Sequence, residues 1–471
     1  MRITIAGLAR SGYAAAKLAL NLGYSVKITD ACTGAHMSDA AKAVLQQHAD
    51  ELTGMGVWVE LGRHTLESIE DAELVITSPG IPDSAKPLVW ARERGIPVIS
   101  EIEFAVRHTN AKIVAITGTN GKTTTTSLVG HILTEAGMPH VVAGNIGQPL
   151  SSVVDKTGAG HIVVLEMSSF QLETVESFHP HIAVWLNITP DHLDRYGTME
   201  AYCAAKARIF NNMTSEDWAI IWEQNREETK QIRVECPARK VWIDERDVWR
   251  PASEESYGAW CADGILYSSF NRIVHEYGER VELPLRGDHN CINMLAACAV
   301  CRILRVPNHI ISEALKTFSG LPHRIEFVIK KHGISFLNDS KATNVDAMIE
   351  ALRAVPGPVS LIAGGYDKGG DFSKVLPFIR EKAIRVVLLG AAREKLEKIF
   401  KGVTELVSAE CMADAVAAAA RNVPLGTTVL LSPGCASFDL YDDFEQRGDD
   451  FKECARRVAH MMDNHKHEVL Q

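Results

Sequence analysis

The sequence of 471 residues contains no long apolar run. No segment approaches the ~18 uninterrupted apolar residues that a membrane-spanning helix needs. The first residues, Met1–Ala6, are typical of the start of a strand rather than of the apolar core of a signal peptide. These absences predict a soluble, cytoplasmic protein that does not associate with a membrane.

An excess of basic residues is also absent. The formal net charge is -10, whereas a nucleic-acid-binding surface is basic, so nucleic acid is not the expected partner. The ten cysteines form no spaced framework, and Cys298 and Cys301 have no second pair that would complete a zinc site. We therefore expect buried thiols, and a phosphate-rich ligand must be held by local cations and helix ends.

The strongest positive signal is a glycine-lysine-threonine turn that follows the apolar run 112–116. At a strand end such a turn points backbone N–H groups at phosphate oxygens, and the next helix presents the positive end of its dipole. Lys122 is then placed to contact the terminal phosphates and Thr123 to reach a Mg²⁺ ion. Only Thr119 and Asn120 separate the two glycines of the turn, so it is a shortened variant of the common phosphate loop.

Apolar, β-branched runs alternate with helical stretches along nearly the whole chain, which predicts an α/β protein with mostly parallel sheets. The chain length predicts about three domains. We place a Rossmann-like domain at residues 1–107, a central domain with a P-loop parallel sheet and helices at 108–320, and a C-terminal Rossmann-like domain at 321–471. The polar stretch 223–282 predicts extra strands and loops appended to the central sheet.

We call these three segments the first, middle and third blocks. The first block contains a turn at 7–12 that has the form of a dinucleotide fingerprint, with Ala9 in place of its second glycine. Alanine hinders the approach of a pyrophosphate, which disfavours NAD and leaves a nicotinamide dehydrogenase as an alternative. A nucleotide diphosphate carried by the substrate is favoured. The amides of Arg10 and Ser11 would hold its diphosphate, and Asp30 would contact its base or sugar.

Two further strand ends of the middle block carry groups suited to a metal. Glu166 follows an apolar strand next to the phosphate loop, where an NTPase needs a magnesium ligand or a water anchor; a glutamate that caps the next helix is the alternative. His192 follows the next strand, so both side chains can converge on one ion. Lys206, on an alanine-rich helical run, is typical of an exposed helix lysine from the sequence alone.

The motif Thr-Gly-Thr-Asn-Gly-Lys-Thr-Thr at 117–124 resembles the central domain of the Mur ligases of peptidoglycan synthesis and of their folylpolyglutamate synthase relatives. These enzymes activate a carboxylate with ATP and then attack it with an amine. The resemblance implies ATP contacts by Gly118, Thr119, Asn120, Gly121, Lys122, Thr123, Thr124, Asn290, Arg324 and Asp339.

The resemblance also implies the other site residues of the first two blocks. A UDP-linked substrate would be bound by Arg10, Ser11, Asp30, Ser78, Pro79, Gly80, Asn145, Gln171 and His192, although the turn that contains Ser78 is equally typical of a plain turn. One or two Mg²⁺ ions would be held by Thr123, Glu166, His192 and Lys206. Lys206 would carry an N-carbamate, and the catalytic residues would be Lys122, His192, Lys206 and Lys341.

The third block narrows the resemblance to the D-glutamate-adding members of the family. Its motifs lie at 337–344, 364–370 and 431–451. They imply that Asp339 contacts the ATP ribose, that Lys341 lies near an acyl phosphate, and that D-glutamate is bound by Lys368, Ser437 and Phe444. The expected partners are ATP, UDP-N-acetylmuramoyl-L-alanine and D-glutamate, and a monomer is expected. Another Mur-type or folylpolyglutamate-synthase-like amide ligase is the alternative, as is a regulatory P-loop ATPase from a different class.

Overall fold

The computed structural model describes the chain except for residues 33–38, 226–235, 247–256, 286, 319 and 469–471. The described residues form three sheets, which span residues 2–100, 112–279 and 326–431. The chain divides into two compact units, Met1–Pro284 with Asn290–Phe318, and Leu285–His289 with Ser319–Gln471. In the part of the chain that the structure describes, no helix combines the length and the apolar character needed to cross a membrane.

The first block is a five-stranded parallel sheet with flanking helices: β1 (Arg2–Ala6), α1 (Arg10–Asn21), β2 (Ser25–Asp30), α2 (Asp39–Gly54), β3 (Trp58–Leu61), β4 (Leu74–Thr77), α3 (Lys86–Glu93), β5 (Val98–Ser100) and α4 (Glu101–Val106). The strand order is β3-β2-β1-β4-β5. The apolar runs of β1 and β4 are buried, as expected for parallel strands covered on both faces. The order reverses between β1 and β4, and a crevice forms at such a point beyond the carboxyl ends of the strands.

The middle block is a nine-stranded sheet with its helices: β6 (Lys112–Thr117), α5 (Lys122–Glu135), β7 (His140–Gly144), β8 (Ile162–Glu166), α6 (Ser169–Leu172), β9 (Ile182–Trp185), α7 (Leu193–Tyr196), α8 (Met199–Ala207), β10 (Trp218–Trp222), β11 (Arg239–Asp244), β12 (Tyr257–Ala262), β13 (Ile265–Phe270), β14 (Ile273–Glu279), α9 (Asp288–Ile303) and α10 (Asn308–Thr317). The strand order is β14-β13-β12-β11-β10-β9-β6-β8-β7. Because β9, β6 and β8 are adjacent and parallel, the residues that follow them lie at one edge of the sheet.

The strands β12, β13 and β14 form two antiparallel hairpins that extend this sheet. The first hairpin turns at Asp263 and Gly264 and the second at Asn271 and Arg272, and all four residues have positive φ. Two consecutive left-handed residues match the twist of paired strands, which is why such turns are favoured in short hairpins. The extra strands predicted for residues 223–282 are therefore present.

The third block is a six-stranded sheet with its helices: β15 (Glu326–Lys331), β16 (Ile334–Asn338), α11 (Val345–Ala354), β17 (Val359–Ala363), α12 (Leu376–Lys382), β18 (Ala383–Leu388), α13 (Arg393–Phe400), β19 (Glu405–Ser408), α14 (Met412–Ala420), β20 (Thr428–Leu431) and α15 (Phe444–Glu468). The strand order is β15-β16-β20-β17-β18-β19. Every pair is parallel except β15 with β16. The three loops that follow β16, β20 and β17 are therefore neighbours at one edge.

Two buried carboxylates join the first block to the middle block. Glu103 accepts hydrogen bonds from the N–H groups of Glu176, Ser177 and Phe178 at 2.9 to 3.0 Å, and Glu101 accepts one from the N–H of Ser151 at 2.6 Å. Burial raises the pKa of Glu101, whereas hydrogen bonds to Glu103 outweigh the opposing effect of burial and lower its pKa. These hydrogen bonds fix the end of the first sheet relative to the middle sheet.

The predicted α/β class with mostly parallel sheets is confirmed. Two buried strands of the third sheet, Val359–Ala363 and Thr428–Leu431, coincide with apolar runs of the sequence. The cysteines of α9, Cys291, Cys298 and Cys301, are buried free thiols, as expected.

Candidate active site

The phosphate loop lies between β6 and α5. Gly118 has φ +153° and Gly121 has φ +82°, which are backbone conformations that residues with a side chain rarely adopt. Asn187, which follows β9, fixes the turn with its side chain, because its Oδ1 accepts from Asn120 N at 2.8 Å and its Nδ2 donates to Asn120 O at 3.0 Å. The loop is therefore shaped by glycines and by one amide that sequence reasoning did not identify.

Two lysines of the predicted site meet at one carbonyl of this loop. Lys122 Nζ donates to Gly118 O at 2.9 Å and to Thr119 O at 2.7 Å. Lys206 Nζ, on α8, also donates to Gly118 O at 2.9 Å. The sequence pattern alone predicted an exposed lysine at 206, and this was wrong, since Lys206 is 1 % exposed. The α8 face that carries it packs against the phosphate loop rather than facing water.

Burial, and then the nearby charge of Lys122, holds the pKa of Lys206 well below its ordinary value. Removing an ammonium group from water disfavours its charged form, and a second cation adds to that effect. Asp191 and Glu166 act in the opposite direction. The site therefore shifts Lys206 towards the neutral amine, which is the form that can react with CO₂ to give a carbamate.

A second buried amide, Asn293 on α9, supports the loop from the other side. An added Cβ at Gly121 would lie 2.2 Å from Asn293 Oδ1. Asn293 also accepts a hydrogen bond from Thr125 Oγ1 at 3.2 Å and donates to Asn290 Oδ1 at 3.0 Å. It thus links the loop to Asn290, a predicted ATP contact. The spacing of Asn290 and Asn293 on one helix face is a signal that could have identified Asn293.

Glu166 ends β8 beside the phosphate loop. It is 1 % exposed, its Oε1 accepts from Asn145 Nδ2 at 2.8 Å, and its buried Oε2 has no hydrogen-bond partner. Such an oxygen is costly unless a cation or donor reaches it. A hard cation prefers oxygen ligands, which the Thr123 hydroxyl and the Glu166 carboxylate can supply, and a carbamate on Lys206 would supply further oxygens. No cluster of three histidine, cysteine, aspartate or glutamate side chains suited to a metal occurs among the described residues.

His192 begins α7 in a left-handed backbone conformation with φ 52°. Its N–H donates to Asp191 Oδ1 at 3.0 Å, and its ring meets the Phe170 ring with centroids 4.8 Å apart. The neighbouring helix α6 carries Gln171, whose side chain forms a capping box with Ser168. A left-handed conformation costs a non-glycine residue roughly 1–2 kcal/mol, so this turn is held by its surroundings.

The predicted substrate residues of the first block lie at the crevice of the first sheet. Arg10 and Ser11 open α1 directly after β1, and Ser78 follows the adjacent β4, where its Oγ donates to Gly7 O at 3.2 Å. The turn of Pro79 and Gly80 continues from there. Asp30 is largely buried, and its carboxylate accepts from Leu8 N at 2.7 Å and Cys32 N at 2.8 Å. The Asp30 carboxylate therefore already supports the loop through these two hydrogen bonds. If it also contacts a base or sugar, as predicted, the same carboxylate must serve both purposes.

The predicted residues of the third block lie along one edge of the third sheet. Lys341 Nζ lies 5.1 Å from the centre of the Phe444 ring, Ser437 is buried and Lys368 is exposed. Asp339 is buried, and its two oxygens accept from Ile325 N at 3.2 Å and from Ser432 Oγ at 2.9 Å. Burial raises the pKa of Asp339 to about 7, against the field of nearby Arg324.

Two side chains that sequence reasoning missed hold these loops in place. Arg447 is 3 % exposed and donates to Ser340 O and Ser340 Oγ after β16, and to Cys435 O and Ala436 O after β20, at 2.7 to 3.2 Å. Burial lowers the pKa of Arg447 to about 10. No sequence pattern indicates that this arginine is buried, because most of its partners are backbone carbonyls of two separate loops.

Asp367 holds the glycine-rich loop after β17. Its Oδ1 accepts from Gly369 N at 3.0 Å and Gly370 N at 2.9 Å, and its Oδ2 accepts from Lys395 Nζ at 2.6 Å. Burial opposes ionisation, but the hydrogen bond from Lys395 outweighs it and lowers the pKa of Asp367. The turn next to Lys368 is therefore closed by these bonds.

Two family models match the chain. The Mur ligase middle domain matches residues 116–301, and the glutamate ligase domain of Mur ligases matches residues 323–435. These ranges contain the phosphate loop, Glu166, His192 and Lys206 in the first case, and Asp339, Lys341 and Lys368 in the second.

Curated relatives match over nearly the whole chain. Two proteins named UDP-N-acetylmuramoylalanine--D-glutamate ligase, from Koribacter versatilis and Salinibacter ruber, are 40 % and 42 % identical to it, covering 97 % and 96 % of this chain and 98 % and 96 % of their own. One with the same name from Bacteroides fragilis is 40 % identical and covers 97 % of this chain and 100 % of its own.

Solved structures share the fold at lower identity. The UDP-N-acetylmuramate-alanine ligase MurC of Thermotoga maritima matches with a TM-score of 0.58 and 20 % identity, covering 97 % of this chain and 99 % of its own. The MurF ligase of Thermotoga maritima in complex with ADP matches with a TM-score of 0.56 and 17 % identity, covering 84 % and 91 %. The expected Rossmann-like and P-loop architecture is therefore shared with these enzymes.

Proposed function

Because the chain belongs to the Mur ligase family, we propose that it joins D-glutamate to UDP-N-acetylmuramoyl-L-alanine and converts ATP to ADP and phosphate. The relatives that carry this name match the chain end to end at about two-fifths identity. The product is a precursor of peptidoglycan. Within the structure, the observation that carries the proposal is the meeting of Lys122 and Lys206 at Gly118 O, near Glu166.

The reaction follows from two displacements. A carboxylate oxygen of the L-alanine group attacks the γ-phosphorus of ATP, the bond to the bridging oxygen breaks, and ADP leaves with that electron pair. The amine of D-glutamate then attacks the acyl phosphate carbon, phosphate leaves, and the amine loses a proton. Phosphoryl transfer of this kind depends mainly on positioning and on neutralising charge.

Each group of residues is proposed to serve one of these steps. The backbone of the phosphate loop and Lys122 bind the β- and γ-phosphates, with Asn290, Arg324 and Asp339 contacting the rest of ATP. The UDP group is bound by the loops that carry Arg10 and Ser78. Lys341 neutralises the acyl phosphate, and Lys368, Ser437 and Phe444 bind D-glutamate.

A magnesium ion fits the middle site. Thr123, Glu166, His192 and a carbamylated Lys206 would hold it, and the unpaired buried oxygen of Glu166 supports this assignment. When bound, Mg²⁺ supplies positive charge that stabilises the transferring phosphoryl group. The carbamate is supported by the burial of Lys206, which favours its neutral amine. We also propose that the protein is cytoplasmic and monomeric.

Phosphate release tests this function. The protein is mixed with ATP, Mg²⁺ and UDP-N-acetylmuramoyl-L-alanine, and phosphate is measured with D-glutamate, L-glutamate, glycine, L-lysine or meso-diaminopimelate. Release that depends on D-glutamate and on the UDP substrate is expected. Preference for another amine would indicate another amide ligase of the family, and equal release without the UDP substrate would indicate a plain ATPase. Either result contradicts the proposal.

A further inference from the structure

Glu173 directly follows α6 and joins it to α7. Its Oε1 accepts a hydrogen bond from Tyr196 Oη at 2.5 Å and another from Arg195 Nε at 3.1 Å. Its Oε2 accepts a further bond from the Arg195 guanidinium. A carboxylate bonded in this way by a guanidinium has a fixed geometry, since the two planar groups must align. The three side chains therefore form one unit, which we call the Glu173 brace.

The brace holds His192 through its backbone. The N–H groups of Arg195 and Tyr196 both donate to His192 O, at 3.0 and 3.1 Å. These are the two residues whose side chains Glu173 fixes. The position of the His192 carbonyl therefore depends on the Glu173 carboxylate, although the two residues lie in different elements.

The brace also holds the His192 ring. The Arg195 guanidinium lies 4.6 Å from the centre of the Phe170 ring, and the same ring packs edge to face against the His192 imidazole. The Tyr196 ring stacks with the Phe170 ring, with centroids 6.1 Å apart. The aromatic partner of the imidazole is thus itself packed against two members of the brace.

The conformation of His192 requires such support. Its φ of 52° lies in the region that L-residues avoid. The helix that it begins has four residues and no side-chain cap hydrogen bond at its start. A single helical turn of that kind does not persist by itself, because helix nucleation is unfavourable.

We propose that Glu173, acting through Arg195 and Tyr196, is a positioning residue that keeps His192 in its metal-binding conformation. The inference rests on the proposed function of His192 and extends it to residues that do not touch the ion. Outer residues that orient a metal ligand typically change metal affinity by about 10-fold to 100-fold when they are removed.

The test uses Glu173→Gln, which keeps the size of the side chain, and Tyr196→Phe, which removes one hydroxyl group. Binding of Mn²⁺ to the full-length protein without substrates is measured by electron paramagnetic resonance, and the Mg²⁺ dependence of phosphate release is measured separately. We expect Mn²⁺ affinity to fall and the half-activating Mg²⁺ concentration to rise by about 10-fold. The KM for D-glutamate at saturating Mg²⁺ should stay within about twofold of the wild-type value, because the brace includes none of the residues proposed to bind that substrate.

A matched control exists in the first block. Glu51 accepts hydrogen bonds from Tyr13 Oη at 2.6 Å and from Lys17 Nζ at 2.8 Å, so Tyr13→Phe removes the same kind of bond between residues of the first sheet's helices. An unchanged Mn²⁺ affinity in Tyr196→Phe, or an equal loss in Tyr13→Phe, overturns the inference. If Glu173→Gln does not fold, Tyr196→Phe decides alone. If the wild-type protein shows no D-glutamate-dependent phosphate release, the proposed function fails, while the Mn²⁺ measurement still tests the brace.

Discussion

The carboxyl edges of the middle and third sheets carry the same kinds of groups, a glycine-rich turn, lysines and a carboxylate at a strand end. They differ in whether these groups already have hydrogen-bond partners within the protein. At the middle edge, Glu166 keeps one buried oxygen without a hydrogen-bond partner, and Lys206 is buried against a backbone carbonyl. At the third edge, Asp339 has both oxygens bonded, and Lys368 is exposed.

The comparison indicates which kind of ligand suits each edge. Buried groups that lack a partner are costly unless a ligand completes them, so the middle edge suits highly charged phosphate and metal. The third edge has its internal carboxylates already bonded within the protein. It presents Lys368 to water, which agrees with the proposal that this lysine pairs with a carboxylate of D-glutamate.

The largest effect is expected from removing the buried lysine of the middle edge. Lys206→Ala should lower D-glutamate-dependent phosphate release by at least about 100-fold, because it removes the carbamate proposed to hold Mg²⁺ at the phosphoryl-transfer site. Acetate or formate should restore part of the activity by supplying the missing carboxylate. The control is Lys17→Ala, which removes a surface lysine paired with Glu51. Full activity of Lys206→Ala would show that the middle edge does not need this group.

The next largest effect is a difference in ATP affinity between alanine substitutions in the two glycine-rich turns. At Gly121, with φ +82°, an added Cβ would lie 2.2 Å from Asn293 Oδ1, whereas at Gly369, with φ +87°, it would meet nothing within 4 Å. Gly121→Ala therefore adds a clash of about 1–3 kcal/mol to the backbone strain, and Gly369→Ala adds strain alone. Calorimetric titration with ATP should show lost affinity only for Gly121→Ala. Similar ATP affinities in the two variants would contradict the assigned role of the first turn.

A smaller and selective effect is expected at the third edge. Asp367→Asn removes the charged acceptor of Lys395 and loosens the turn beside Lys368, so the KM for D-glutamate should rise about 10-fold while the KM for ATP stays unchanged. Asp371→Asn is the control, since Asp371 is a nearby carboxylate that bonds only locally to Ser373. An equal rise in both variants would indicate a general loosening of the loop.

The smallest expected effect concerns pH. The pKa of Asp339 is raised to about 7, so between its unfolded value and about 7 the folded protein binds a proton that the unfolded chain does not. This contribution to stability is present below the unfolded pKa and is lost as the pH rises through about 7. Urea unfolding of the wild-type protein should therefore lose about 1–3 kcal/mol more between pH 5.5 and 8 than unfolding of Asp339→Asn. Parallel pH profiles would contradict this role of Asp339.

The middle edge was largely predictable from the sequence, because its signals are local. The turn that contains Lys122, and Glu166 at a strand end, follow from apolar runs and from the residues that terminate them. The burial of Lys206 was not predictable, since it depends on Gly118, 88 positions away in sequence. Only the family resemblance indicated a role for that lysine.

The third edge was less predictable from the sequence. Its strands at 359–363 and 428–431 follow from apolar runs, but the residues that hold its loops do not. Arg447 contacts backbone carbonyls of two separate loops, and Asp367 closes its turn partly through Lys395. A charged residue looks the same in the sequence whether its side chain is exposed to water or buried. Only the tertiary structure therefore shows that these two residues hold loops in place.

The hairpin turn at Asp263 and Gly264 has a practical consequence. It lies at the end of β12, four strands from β6 in the sheet order, or roughly 19 Å from it at the usual strand spacing. An added Cβ at Gly264 would meet nothing within 4 Å, and the turn is set by local backbone preference. A fluorophore or an affinity tag inserted between these two residues would therefore report on the enzyme, or immobilise it, without entering the chemistry.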